Sequence, residues 1–322
     1  MIKKLSVQNF KSIKDLQLNC KRVNLFIGEP NVGKSNILEA LGLPAVFCTL
    51  TFEGLIRLHD LSNLFFENDP SNKVSVIADE IRTEVSYEFG KVYLKLFKNS
   101  VRERELSSAF ANQSFGMQSP SDDFGIHPYH FKVLTNFPQL YSESLSIPHG
   151  NNLFFLLQTN RGLRNLVSEI IQERGYKLTL RQANNEIEIS KEEDSILTAY
   201  PYAIISDTLQ RIIFYSAAIG TAKDGDTLIF EEPESNVFPY YTKYLAEKIS
   251  LDDTKQYFIT THNHYFLQSI IQKTPVSQLQ VNVVSMKHFK TFVRPIVLQS
   301  EIEELIDMDS SVFLNLDKFL SE

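Results

Sequence analysis

The stretch Gly28-Glu29-Pro30-Asn31-Val32-Gly33-Lys34-Ser35 constrains this chain more than any other. It matches the pattern GxxxxGK(S/T) in full. Val23 to Ile27 (VNLFI), just before it, reads as a short strand buried on both faces. Ile37, Leu38 and Leu41, after it, recur at helical spacing, and Pro44 marks the helix end. A glycine loop between strand and helix can turn its N–H groups around phosphate oxygens, with the positive end of the helix dipole behind them. Lys34 would reach the β and γ phosphates, and the Ser35 hydroxyl would hold Mg²⁺. Average residue usage produces this pattern by chance in about one chain of this length in a hundred. The bland alternative is a glycine turn that only caps a helix. The strand and helix on either side weigh against it.

Two further strand ends carry candidate chemistry. Leu228-Ile229-Phe230 runs into Glu231-Glu232-Pro233-Glu234, so an apolar strand delivers adjacent carboxylates. Alone, such a cluster is commonly a solvated turn. Beside a phosphate loop, Glu231 would serve the metal and Glu232 would orient or deprotonate the attacking water. The strand Gln256 to Thr260 ends at Thr261 and His262, a histidine able to reach a γ-phosphate. His262 and His264 lack the further ligands of a metal centre. His127, His130 and His149 fall in loops and receive no role.

Composition bounds the rest. The 322 residues include 24 Phe and 13 Tyr, ample buriable surface for a folded chain. A net charge of −7 argues against a surface that is basic all round, though not against a local basic groove. Two cysteines make no disulfide framework and suit a reducing compartment. The N-terminus lacks the apolar run of a signal peptide, and no segment reaches membrane-spanning length, so a cytoplasmic protein is expected.

Leu5, Val7 and Phe10, then Leu16 and Leu18, alternate as strands do. Val74 to Phe97 reads as three strands, residues 99–126 as a polar, loop-rich excursion, and Leu153 to Gly175 as helix. Ser206 stands as a natural N-cap before Leu209, Ile212, Ile213, Ala217 and Ile219. Helices over 238–250 and 264–272 alternate with strands. That order predicts a mainly parallel α/β sheet.

These ordered motifs resemble the ATPase heads of ABC, SMC and RecF proteins, and within them the OLD ATPases of bacterial defence loci. The opening KKLSVQNFKSIKDL is similar to their N-terminal hairpin, Glu231-Glu232-Pro233-Glu234 to their EEPE segment, and Ile147 to Leu153 to part of a middle lobe. The resemblance implies an α/β P-loop NTPase with an ABC-ATPase-like mixed sheet. It also implies a core lobe over 1–50 and 196–300, an inserted α/β middle lobe over 51–195, and a strand and helix extension over 275–322. ATP and Mg²⁺ are the implied cofactors. ATP would contact Gly28 through Asn36, with Ser35 and Glu231 on the metal and Lys34, Glu232 and His262 in catalysis. Ser206, Asp207 and Thr208 sit where the family places its signature motif, which caps the γ-phosphate held by the other subunit. The resemblance thus implies a homodimer with ATP sandwiched between heads.

Departures accompany it. Thr208 stands near the place of the signature glycine, and Phe238 where relatives carry histidine before proline. The chain ends about 60 residues past His262, where OLD nucleases enter a Toprim domain. Glu301, Glu303 and Glu304 read instead as a solvated helix face. The expected function is therefore an ATPase whose dimerisation governs a separately encoded effector, a nuclease or other toxin, in antiphage defence. A RecF-like ATP-gated DNA clamp is the alternative, with Lys91, Lys95, Lys98, Arg102 and Arg104 as the densest basic stretch. A non-hydrolysing nucleotide scaffold comes third. Phe10 to Ser12 would lie near the adenine.

Overall fold

The computed structural model describes residues 1–109, 113–115, 123–138, 142–172 and 175–320. In chain order its elements are β1 (Lys4–Phe10), β2 (Ile13–Asn19), β3 (Val23–Gly28), α1 (Lys34–Leu41), α2 (Val46–Thr49), β4 (Val74–Ala78), β5 (Ile81–Glu88), β6 (Lys91–Lys98), β7 (Val101–Ala109) and β8 (Ile126–Tyr129). Then follow α3 (Leu153–Thr159), α4 (Arg161–Gln172), β9 (Lys177–Arg181), β10 (Glu186–Glu193), β11 (Ile196–Pro201), α5 (Asp207–Thr221), β12 (Thr227–Glu231) and α6 (Pro239–Leu251). The last elements are β13 (Gln256–Thr260), α7 (His264–Lys273), β14 (Leu279–Lys287), β15 (Lys290–Ile296) and α8 (Gln299–Asp307).

One sheet, ordered β15-β14-β3-β13-β12-β8, is parallel except for β15 at its edge. Every residue of β3 is buried, as a strand covered on both faces requires. Asn24 survives inside it because its side-chain amide donates to the Lys21 and Tyr257 carbonyls at 2.6 and 3.1 Å. A second sheet, ordered β2-β1-β4-β5-β6-β7, is wholly antiparallel. A third joins β11, β10 and β9. The fold is a mixed α/β one, and the parallel sheet expected to dominate shares the molecule with antiparallel layers.

Helix α1 lies between the first two sheets and buries Ile37, Leu38, Ala40 and Leu41. Removing one such aliphatic side chain costs about 2–5 kcal/mol. On the other face α5 packs Phe214 and Tyr215 against β8 and β12, with Tyr215 and Phe230 ring centroids 5.0 Å apart in an edge contact. Arg22 fixes the end of α6: its guanidinium donates to the carbonyls of Ile249, Ser250 and Asp252, orphan acceptors at a helix C-terminus.

Residues 51–195 distribute over three places. β4 to β7 extend the sheet that β1 and β2 begin, β8 closes an edge of the parallel sheet, and the remainder forms α3, α4 and most of the third sheet. The excursion read as loop-rich over 99–126 falls partly outside the described residues. Its first part is a true strand, β7, because Leu106 and Ser108 point inward while the charged residues before them face water. The helix expected over Leu153 to Gly175 is broken at Asn160, whose side chain caps the second piece by accepting from the Leu163 N–H at 3.0 Å. Glu301 is not a free surface acid. It accepts from Arg294 at 2.6 Å and from the Val297 and Leu298 N–H groups at the start of α8.

Candidate functional site

Parallel strands end at one edge, so the loops after β3, β12, β13 and β8 meet there. The loop after β3 is held by its glycines. A Cβ on Gly28 would lie 2.3 Å from the Val284 carbonyl oxygen, and one on Gly33 (φ +98°) would lie 2.0 Å from Thr291 Oγ1. Thr291, on β15, donates to the Val32 carbonyl at 3.0 Å and meets Ser12 Oγ at 2.6 Å. Ser12 in turn accepts from the Asn36 amide at 2.7 Å. The turn between β1 and β2, the loop and the last hairpin are thus tied at one point.

Lys34 is 6% exposed and donates to the Gly28 and Glu29 carbonyls at 2.9 and 2.6 Å. Burial pushes its amine down to about 8, opposed by the nearby charges of Glu232, Glu231 and Glu29. The Ser35 hydroxyl donates to Glu231 Oε1. Serine hydroxyl and carboxylate side by side are hard oxygen donors that suit a small divalent cation keeping water and phosphate as its other ligands.

Glu232 leaves the end of β12 in a left-handed conformation (φ +43°). Its N–H donates to the Thr260 carbonyl and hydroxyl at 3.1 and 3.2 Å, which stitches the ends of β12 and β13 together. Its carboxylate accepts from Ser235 Oγ at 3.0 Å and lies 3.4 Å from His262 Nε2. Burial, then the charge of Lys34, hold the His262 imidazole below its ordinary pKa, against the pull of Glu232. The ring is therefore neutral at neutral pH and can take a proton. Lys34, Ser35, Glu231, Glu232 and His262 all line one cleft of about 490 Å³. Stretches more than 200 residues apart in sequence thus converge as the motifs require.

The structure adds residues that carry no motif. Arg57 lies 3.1 Å from Glu231 and 2.8 Å from Glu39, and Lys11 closes on Glu39 from the other side. Glu39, one helical turn beyond Ser35, is buried between these two cations. His130, given no role above, follows the end of β8 with Nδ1 3.9 Å from Glu231 Oε2. No periodicity points to it, because all four residues of β8 are buried, and only the pairing of β8 with β12 brings His130 to Glu231.

Ser206, Asp207 and Thr208 stand away from this cleft. Ser206 caps α5 by accepting from the Leu209 N–H at 3.3 Å, Asp207 pairs with Arg211 at 2.8 Å, and Thr208 donates to the Asn236 carbonyl at 3.1 Å. Phe238 is exposed at the start of α6. The basic stretch lies on β6, whose charged residues are all lysines, and on β7, where Arg and Glu alternate; Lys91 stands opposite Glu88, Lys95 opposite both Glu84 and Glu105, and Arg102 pairs with Glu105 at 2.9 Å. Among the described residues no helix is long and apolar enough to cross a membrane.

Residues 1–212 match the AAA ATPase domain family. An uncharacterized protein of Methanocaldococcus jannaschii, MJECL10, is 26% identical over 150 residues, 42% of this chain. The match spans 66% of that relative's length, just under two thirds. Among solved structures, an SMC head bound to the C-terminal winged-helix domain of ScpA superposes with a TM-score of 0.56 and 16% identity, over 93% of this chain and 99% of that one. The likeness shows the fold, that of a P-loop NTPase head. An SMC head from Thermotoga maritima superposes at 0.44, with 14% identity over 92% of this chain and 99% of that chain.

Proposed function

The chain belongs to the AAA ATPase domain family, and on that premise we propose that it binds ATP with Mg²⁺ and hydrolyses it between two copies of itself. One observation carries the reading: Lys34, Ser35, Glu231, Glu232 and His262, from three separate strand ends, line a single cleft.

In this proposal the N–H groups of Gly28 to Asn36, Pro30 excepted, surround the phosphates and Lys34 leaves the loop carbonyls for the β and γ phosphates. Ser35 and Glu231 would hold a divalent cation, which would supply neutralising charge to the phosphates. Glu232 orients the attacking water and takes its proton. His262, neutral and beside Glu232, donates a hydrogen bond to the γ-phosphate. Arg57, paired with Glu39 as well as with Glu231, would remain near the phosphates. The position of Ser206, Asp207 and Thr208 away from the cleft, at an exposed helix N-terminus, supports their action on the nucleotide of the other copy. ATP then favours the closed dimer by its higher affinity for that state.

We further read the chain as an OLD-type head that governs a separate effector protein in antiphage defence. The EEPE turn and the hairpin that opens the chain support this. A DNA clamp would need a positive face, and Glu84, Glu88 and Glu105, opposite the lysines of β6, weigh against placing one there. The test is phosphate release and native mass of the wild-type and Glu232→Gln proteins with ATP. Turnover in the first and an ATP-bound, inactive dimer in the second are expected. Absence of nucleotide binding by both would end the reading.

A further inference from the structure

Glu234 has no role in the mechanism above, yet it is buried to 3% exposure. It sits two residues after Glu232, where the chain turns back under the site. Its Oε1 accepts from the hydroxyl of Thr261, the residue just before His262. Thr261 is held in turn: its N–H donates to the Phe26 carbonyl of β3 at 3.3 Å, and its hydroxyl accepts from the Asn263 N–H at 3.0 Å. Asn263 caps α7 by accepting from the Phe266 N–H at 3.1 Å. The second carboxyl oxygen, Oε2, is buried with no hydrogen-bond partner among the described residues.

A lone acid is rarely placed in such a position, because burying it costs several kcal/mol unless its bonds repay the loss. Here the bond to Thr261 adds a side-chain tie between two loops whose backbones already meet where the Glu232 N–H donates to Thr260. One loop carries Glu232 and the other carries His262, and those two side chains must meet within hydrogen-bond reach. The carboxylate of Glu232 and the ring of His262 are each about 40% exposed, so packing alone does not hold them. On the outer side the His262 ring leans on Phe313, centroids 6.1 Å apart, which limits its tilt but not its depth. Its depth is set by its own backbone, which follows Thr261, held by Glu234.

We propose that Glu234 is a positioning residue, which fixes His262 against Glu232 by gripping the hydroxyl of the preceding residue, Thr261, from below. The proposal rests on the ATPase reading, deepening it from the residues that touch the phosphate to the one that holds two of them in register. A small displacement of an acid-base pair suffices to lower turnover without weakening nucleotide binding, since the phosphate loop is untouched.

The experiment compares wild type, Glu234→Ala, Glu234→Gln and Thr261→Val, each labelled with ¹⁵N-histidine. Glu234→Ala is expected to lower kcat about tenfold or more, with the KM for ATP changed by less than about twofold. Glu234→Gln, which keeps an acceptor for the Thr261 hydroxyl, should recover most of that loss. The His262 amide resonance should move in Glu234→Ala and stay in Glu234→Gln. Should Glu234→Ala not fold, Thr261→Val removes the same bond and should give the same loss confined to kcat. A kcat in Glu234→Ala or Thr261→Val close to wild type, or a KM that rises with the loss, overturns the proposal. If the wild type proves to have no turnover, the ATPase reading fails by itself, and the amide resonance alone decides whether Glu234 holds His262.

Discussion

Arg57 and Glu231 meet at 3.1 Å across the mouth of the phosphate cleft, so the carboxylate assigned to the cation is already neutralised by a guanidinium. The Arg57 side chain is 63% exposed, and such a pair contributes no more than about 1 kcal/mol to stability. Arg57→Ala should therefore melt within a few degrees of wild type. Its ATP turnover should fall about tenfold or more, because a cation is lost beside the transferring phosphoryl group. Steady-state phosphate release and a thermal melt on the same preparation separate the two. Unchanged turnover would remove Arg57 from the site.

Lys34→Ala takes away the only ammonium that the loop itself holds at the phosphates. ATP affinity should drop by about two orders of magnitude or more, an effect on the order of 3 kcal/mol for a buried charge-assisted contact. Calorimetric titration measures it directly. Equal heats for the two proteins would contradict the phosphate role.

Glu232→Gln keeps shape and removes the base. Turnover should fall about 10² to 10⁴-fold while ATP still binds. Analytical ultracentrifugation with ATP should find more dimer than in wild type, since the closed state is no longer relaxed by hydrolysis. A monomer at every nucleotide concentration would count against the shared site.

The acid at Glu234 predicts a pH dependence of stability. Burial raises its carboxyl from 4.5 to about 7, opposed by the Thr261 hydroxyl bond and reinforced by the charge of Glu232. A raised carboxyl pKa means that the folded state binds the proton more tightly than the unfolded chain. Its contribution is thus full below pH about 4.5 and is lost as pH rises through about 7. Glu234→Gln carries no such charge. Wild type should lose stability relative to Glu234→Gln by about 2–3 kcal/mol between pH 5 and 8. Melting both proteins across that range checks it, and a constant difference would refute the shift.

Much of the site was legible because its motifs are local. Gly28 to Ser35 needs only the chain on either side of it to declare a loop between strand and helix. Glu231, Glu232 and His262 announce themselves as polar ends of apolar strands. Arg57, Glu39, Lys11 and His130 did not, because each acquires meaning only from the packing of distant segments. Glu39 looks like any surface acid on a helix until Lys11 and Arg57 close over it. The strand β7 was hidden for a related reason. Arg102, Glu103, Arg104 and Glu105 give it the composition of a loop, and only its place at a sheet edge lets both faces of that run stay in water.

The stretch that matches the AAA ATPase domain family stops at residue 212, yet Glu231, Glu232, His262 and Thr291 all lie past it. A fragment cut at that boundary would keep the glycine loop and lose both carboxylates and the histidine proposed to act with it. It would also lose β12, β13 and β14, which leaves β3 with bare edges on both sides and β8 without its only neighbour. Ligand recognition and the integrity of the central sheet are therefore one property of the molecule, and neither can be dissected away from the other.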